Sequence, residues 1–305
     1  MSSRKLLITL VCVASLVTTA VIVPAQRQVE IPQEVINQIR QRPKRIIAKP
    51  INFNLKDIVA EFSNQPDVDL RPKIKQMGIP IRSQGNRGTC SVFALTFLLE
   101  YMYAWRENYH TPDFSEEYLN YASNLAIGQY DDGGFFDALD LGYQKYGMVN
   151  ESQAPYHSSY NPPYVAPPRL LKIGEQIEPR FKAHFIKPWN NQTGLTAGEL
   201  KDIEQALNSG RPVATGVRWP NNFQTETVHG VALMKTPPPS GVFDGHSIDL
   251  VGYKASNAFP GGGYFIFRNS FGTGFGAEGY GFMSFEYANK YANDAVDYFK
   301  PGARD

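Results

Sequence analysis

Through the first two-thirds of the chain, apolar residues recur at three- and four-residue intervals. In the last third they gather into short blocks split by Gly/Pro turns. The first spacing predicts helices and the second strands. Thr89 stands where it can cap a helix opening at Cys90, in which Phe93, Phe97, Leu98 and Met102 share one face. Ser115-Glu116-Glu117 opens a second helix with negative charge in its first turn, and FFDALDLGYQKYG makes a third that ends at Gly147. Residues 153–195 are rich in proline and tyrosine, and their periodicity is weak. Thr196 and Glu199 then form a capping box for the helix ELKDIEQALNSG. Beyond it PVATGV, VHGVALM, HSIDLVGYK, GYFIFRNS and YGFMSFEYA predict strands. The expectation is an α+β fold of two lobes, helical first and β-rich second, with a cleft between them.

The N-terminus reads differently from the rest. Arg4 and Lys5 precede an apolar run from Leu6 to Val23, and Val23-Pro24-Ala25 ends it with small residues. This is the pattern of a signal peptide over residues 1–25, which implies export; left uncleaved, the run would be a membrane anchor. Residues 26–65 are polar, with short amphipathic pieces EVINQIR and LKDIVAEF, too little for a domain. They are expected to be a pro-segment or linker, and Arg42-Pro43-Lys44-Arg45 is a basic cluster that a processing protease could cut. The domain proper is placed at 66–305. With 305 residues, 42% of them hydrophobic, the chain can fill a sizeable core. Its net charge of +1 hides a balance of +6 in residues 1–50 and −5 in the remainder. The body therefore offers no basic stripe for nucleic acid.

Of the 2 cysteines, Cys12 would leave with the signal, so Cys90 would be alone in the exported product and no internal disulfide could form. A cysteine in the first turn of a helix feels the positive end of the helix dipole, which favours its thiolate. An imidazole beside it could carry a proton to a leaving group, held in orientation by a third polar residue. Of the 5 histidines, His110, His157 and His184 lie in polar or proline-rich sequence, while His229 and His246 both open apolar strand-like runs. Asn269 is a candidate orienting amide with Phe271 placed to cover it. Gln84, across a glycine turn from Cys90, could donate to a developing oxyanion with the Cys90 N–H. There is no CxxC, HExxH or GxxxxGK[ST], and no GxGxxG after a strand, so no cofactor or metal is called for.

Three blocks together carry a resemblance: QGNRGTCSVFA (84–94), GHSIDLVGY (245–253) and FRNSFGTGFGAEGYGF (267–282). They are similar to the papain-like (C1, cathepsin-like) cysteine peptidases, over about residues 67–295. The family's Gln, Cys, His and Asn fall in this order, although His246 and Asn269 lie 156 and 179 residues after Cys90, so insertions are implied. The resemblance implies Cys90 as nucleophile, His246 rather than His229 as general base and acid, Asn269 as its orienter and Gln84 in the oxyanion hole. It implies that the Gly134 backbone and Phe136 bind substrate, with an apolar preference, and that Phe271 and Phe275 shield the His–Asn pair. The implied fold is a helical left lobe and an antiparallel, β-barrel-like right lobe. The implied activity is peptide-bond hydrolysis through a Cys90 acyl-enzyme on protein or peptide substrates, with the pro-segment a possible occupant of the cleft. An inactive binding protein, or a thiol acyltransferase or isopeptidase, would use the same fold. Ser91 departs from the family's usual tryptophan, and Arg87 and Asp131 stand where it often has disulfide cysteines.

Overall fold

The computed structural model describes residues 31–54, 65–107, 112–177 and 179–302; the apolar N-terminal run, LKDIVAEF and His110 lie outside them. The leader supplies helix α1 (Gln33–Arg40) and the two-residue strand β1 (Phe53–Asn54). The body starts with β2 (Val68–Asp69) and α2 (Arg71–Gln76), followed by α3 (Cys90–Arg106), α4 (Glu116–Ile127), α5 (Phe136–Tyr146) and α6 (Pro168–Gln176). Then come β3 (Lys182–Lys187), α7 (Ala197–Asn208), β4 (Val213–Pro220), β5 (Thr225–Val228), β6 (Val231–Met234) and β7 (Val242–Ala255). The chain closes with β8 (Gly263–Arg268), β9 (Phe275–Gly276), β10 (Tyr280–Ser284), α8 (Phe285–Tyr291) and β11 (Ala292–Phe299). Among the described residues no helix is long and apolar enough to cross a membrane.

Helix α3 is the central post. Residues Cys90 to Tyr103 are all buried, because α4 and α5 pack on one side and β4, β7 and β11 on the other. A helix enclosed on all sides is apolar all round, which is why its sequence shows more than one apolar face. Thr89 does not cap it: the hydroxyl bonds the Tyr156 hydroxyl at 2.6 Å instead, tying the start of α3 to the 153–195 stretch. Ser115 does cap α4, accepting from the Tyr118 N–H at 2.9 Å, and the Thr196–Glu199 capping box on α7 is complete. The weakly periodic stretch contains α6 and β3, and YGFMSFEYA turns from strand into α8 at Phe285.

The sheet runs β3-β11-β4-β7-β8-β10-β6-β5, with β2 added against β7. It does not close into the expected antiparallel barrel. Its terminal strands β3 and β5 each pair with a single neighbour, and β10 runs parallel to β6. Both ends are short and polar at the rim, with Lys182 and His184 exposed on β3 and Glu226 and Thr227 on β5, as suits edges that stay in water. The two-lobed α+β arrangement stands, with one apolar core running from α3 through the sheet. The leader crosses the cleft between the lobes: Arg42 binds Asp137 in the first turn of α5, Ala48 donates to the Gly245 carbonyl at 2.9 Å, and β1 pairs in parallel with β9.

Candidate active site

Cys90 is the first residue of α3, His246 lies within β7 and Asn269 just follows β8, the antiparallel neighbour of β7. The pairing of β7 with β8 brings imidazole and amide together. His246 Nε2–H donates to Asn269 Oδ1 at 2.8 Å, and the same oxygen accepts the Ser270 N–H at 2.8 Å. Because Oδ1 can only accept, Nε2 carries the proton and Nδ1 is the basic nitrogen. Nδ1 is buried and has no hydrogen-bond partner. The His246 ring stacks on Phe271 at 4.6 Å and meets the edge of Trp219 at 4.5 Å, so it is clamped from two sides.

Burial raises the pKa of the Cys90 thiol, although Arg45, both the N–H and hydroxyl of Ser247, and the Ser91 N–H pull the other way. Burial also takes His246 down to about 3; its bond to Asn269 opposes this and the Arg45 charge adds to it. Both groups are therefore uncharged near neutral pH in this arrangement, as expected for groups sealed from water. The seal is the leader. A side chain at Gly245 (φ 141°) would run into the Ile46 carbonyl, so glycine is what lets the leader pass directly beside His246. Ile47 lies against Gly88 on the opposite wall.

Gln84 is fully buried: Nε2 donates to the Arg87 carbonyl at 2.8 Å and Oε1 accepts from the Ser270 hydroxyl at 2.7 Å, leaving one N–H uncommitted. Gly134 lies beside the leader with its N–H directed to Ser91 Oγ at 3.3 Å. Phe136 is buried in the main core, and it is Phe135 that faces the leader, under Arg42. Phe275 packs at 5.8 Å against Phe271 and pairs through its backbone with Phe53. The other histidines stand apart: His229 is exposed in the β5–β6 turn with φ 47°, His157 is exposed, and His184 binds Asp297 at 2.9 Å. Trp219, Phe135 and Ser247 were not singled out from sequence. Strand alternation puts Trp219 on a face, but only the β4–β7 register shows that His246 shares it.

Comparison with known proteins gives the family. The sequence model of the papain family cysteine proteases matches residues 65–297. The chain belongs to the papain family of cysteine proteases. A cysteine protease of Blomia tropicalis is 24% identical over 222 residues, covering 72% of this chain and 61% of the relative. The viral cathepsin of Orgyia pseudotsugata multicapsid polyhedrosis virus is 26% identical over 205 residues, covering 66% and 54%. The chain thus spans somewhat over half the length of these relatives. In structure it is similar to xylellain, a cysteine protease from Xylella fastidiosa, with a TM-score of 0.61 at 20% identity over 85% of this chain and 92% of that one.

Two departures from the papain-family pattern have structural explanations. Where the family often has a disulfide, Arg87 binds Asp132 at 2.8 Å and Glu117 at 2.5 Å, and donates to the His157 carbonyl at 2.8 Å. Of the two adjacent acids, Asp132 pairs with Arg87, while Asp131 pairs with Lys44 of the leader. Cys90 is free, and no disulfide occurs among the described residues. Ser91, in place of the tryptophan, serves as the acceptor beneath Gly134, on the floor of the cleft.

Proposed function

We propose that this papain-family chain is a cysteine endopeptidase with Cys90 as nucleophile, His246 as general base and acid, Asn269 as orienter and Gln84 in the oxyanion hole. The observation that carries the proposal is the His246 ring: Nε2 is held by Asn269 while Nδ1 is bare, and the next residue, Ser247, lies against the Cys90 thiol. Once the leader leaves, water and the dipole of α3 favour a Cys90 thiolate paired with imidazolium. Sγ attacks the scissile carbonyl carbon, and the oxyanion takes hydrogen bonds from the free Gln84 N–H and the Cys90 backbone. His246 Nδ1–H protonates the departing amine, the C–N bond breaks, and an acyl-enzyme remains. His246 then takes a proton from water, whose oxygen attacks the thioester and releases the acid. The Gly134 backbone aligns the substrate, Phe136 backs that wall from the core, and Phe271 and Phe275 keep water from the His–Asn pair.

Residues 26–65 are proposed as an inhibitory pro-segment of a zymogen and residues 1–25 as a signal peptide for export, with 66–305 as the enzyme. Support for inhibition comes from the leader lying over Gly88 and Gly245 and from the uncharged state of the buried thiol and imidazole. The test is recombinant chain with and without residues 26–65, assayed on a peptide library and labelled with iodoacetamide, each with a Cys90→Ala control. Turnover and labelling should appear on trimming and vanish in the control. A trimmed chain no more active than the full one would refute the inhibition, and turnover surviving Cys90→Ala would refute the chemistry.

A further inference from the structure

The leader's Arg45 is buried to 6% side-chain exposure, yet its Nε and Nη2 have no hydrogen-bond partner. It reaches from the cleft into a recess formed by Gly216 of β4, Asp244 of β7 and Asp294 of β11. Asp244 Oδ1 stands 3.7 Å from Nε. A Cβ on Gly216 would sit 2.6 Å from Asp294 Oδ1 and 2.9 Å from Arg45 Nη2, so glycine here is what leaves room for both carboxylate and guanidinium. The Asp294 carboxylate is anchored by the Gly216 N–H at 2.5 Å, and Asn293 donates to Asp244 at 2.5 Å while its own Oδ1 is buried without a partner. Phe135 closes one side, 5.5 Å from the guanidinium carbon.

The fit is matched in charge and loose in geometry. The body's permanent pairs are tight, as with Arg87 at 2.5 and 2.8 Å from its carboxylates, whereas Arg45 engages at 3.7 Å with two nitrogens unpaired. A leucine in the same place would leave the buried Asp294 carboxylate without a cation facing it, which is costly. The recess lies close enough to the catalytic groups that the Arg45 charge acts on both Cys90 and His246. The neighbouring wall is acidic too: Arg42 makes a bidentate pair with Asp137 at 2.6 and 2.9 Å, and Lys44 reaches Asp131 at 3.0 Å.

We infer that the recess of Gly216, Asp244 and Asp294 is a specificity pocket for arginine, that the enzyme selects peptides carrying a basic side chain near the cut bond, and that Arg45 occupies the pocket as a substrate mimic. This rests on the peptidase reading and replaces the apolar preference that Phe136 suggested. Labelling rates test the pocket in the full chain, read as iodoacetamide alkylation of Cys90 by mass spectrometry. Arg45→Met should label about 30-fold faster than wild type, with Arg45→Lys between them. Asp294→Asn should speed wild type but add little to Arg45→Met. Arg45→Met labelling at the wild-type rate, or fully additive effects, would overturn the pocket. Peptides differing only as Arg or Leu are then offered to the chain trimmed of residues 26–65. The Arg/Leu ratio of kcat/KM should exceed about ten and fall at least about tenfold in Asp294→Asn. If that variant fails to fold by circular dichroism, Asp244→Asn on the pocket rim replaces it, and an unchanged ratio overturns the inference. If neither peptide is cut although the labelling rates fall in the stated order, the peptidase reading fails and the pocket stands as the leader's docking site.

Discussion

Replacing Arg87 with methionine should expose what has taken over from the family's disulfide. Methionine keeps the aliphatic packing and removes the charge. The Arg87 side chain is 3% exposed and Glu117, its shortest partner, 1%. The guanidinium also lies 4.4 Å over the Tyr156 ring and holds Asp132, whose other oxygen accepts the Gly88 N–H at 3.3 Å. Without it Glu117 keeps only the His157 N–H at 2.9 Å and stays buried as an uncompensated carboxylate. Breaking a buried pair from one side costs about 3–5 kcal/mol. In a domain of this size 1 kcal/mol moves the melting temperature by about 2–4 °C, so a fall on the order of 6–20 °C is expected. Urea unfolding followed by circular dichroism, with differential scanning fluorimetry beside it, measures this at neutral pH. Glu117→Gln added to Arg87→Met should restore part of the loss, because an amide is cheaper to bury than a stranded carboxylate. Moderate salt should not close the gap, since the pair is not solvent-exposed. A loss under about 1 kcal/mol, or strictly additive single changes, would show that the clamp is not what holds the Gly88 and Gly133 loops together.

Other outcomes follow from the same geometry. Burial pushes Glu116 up to about 8, with Arg82 opposing and Glu100 adding to the rise, and Glu100 itself is up to about 7. Between the ordinary glutamate value of 4.5 and about 8 the folded chain thus holds a proton at Glu116 that the unfolded chain has lost. Its contribution is full below that window and falls as pH rises through it. Glu116→Gln, read against wild type by urea titration, should gain relative stability by up to about 1.4 kcal/mol per pH unit on going from about pH 5 to 8; a flat difference would refute the shift. Thr196→Ala removes a complete capping box from α7 and should cost about 1 kcal/mol in the same assay. Trp219→Ala opens one side of the His246 clamp and should cost about 3–5 kcal/mol. In leader-trimmed enzyme it should lower kcat more than it changes KM; the reverse pattern would place Trp219 in substrate binding instead.

What the sequence by itself determined was local. Ser115 and Thr196 cap the helices they precede because a cap needs only an N–H within three residues. Cys90 opens a helix and His246 sits in a strand for the same reason: period and flanking residues decide both. The blocks around Cys90, His246 and Asn269 were specific enough to indicate the family before any contact was known. Tertiary structure decided whatever depends on a partner far along the chain. Thr89 has an adequate local role as a cap but bonds Tyr156, 67 residues away. α6 and β3 take shape in a weakly patterned stretch because α5 and β11 offer surfaces to pack and pair on. The sheet stays open because its two short ends never meet, which strand periodicity does not encode. Arg45 reads in the sequence as one charge in a basic run. Only the convergence of β4, β7 and β11 makes a recess for it, since the carboxylates that face it lie about 200 and 250 residues downstream and charge attraction carries no register of its own.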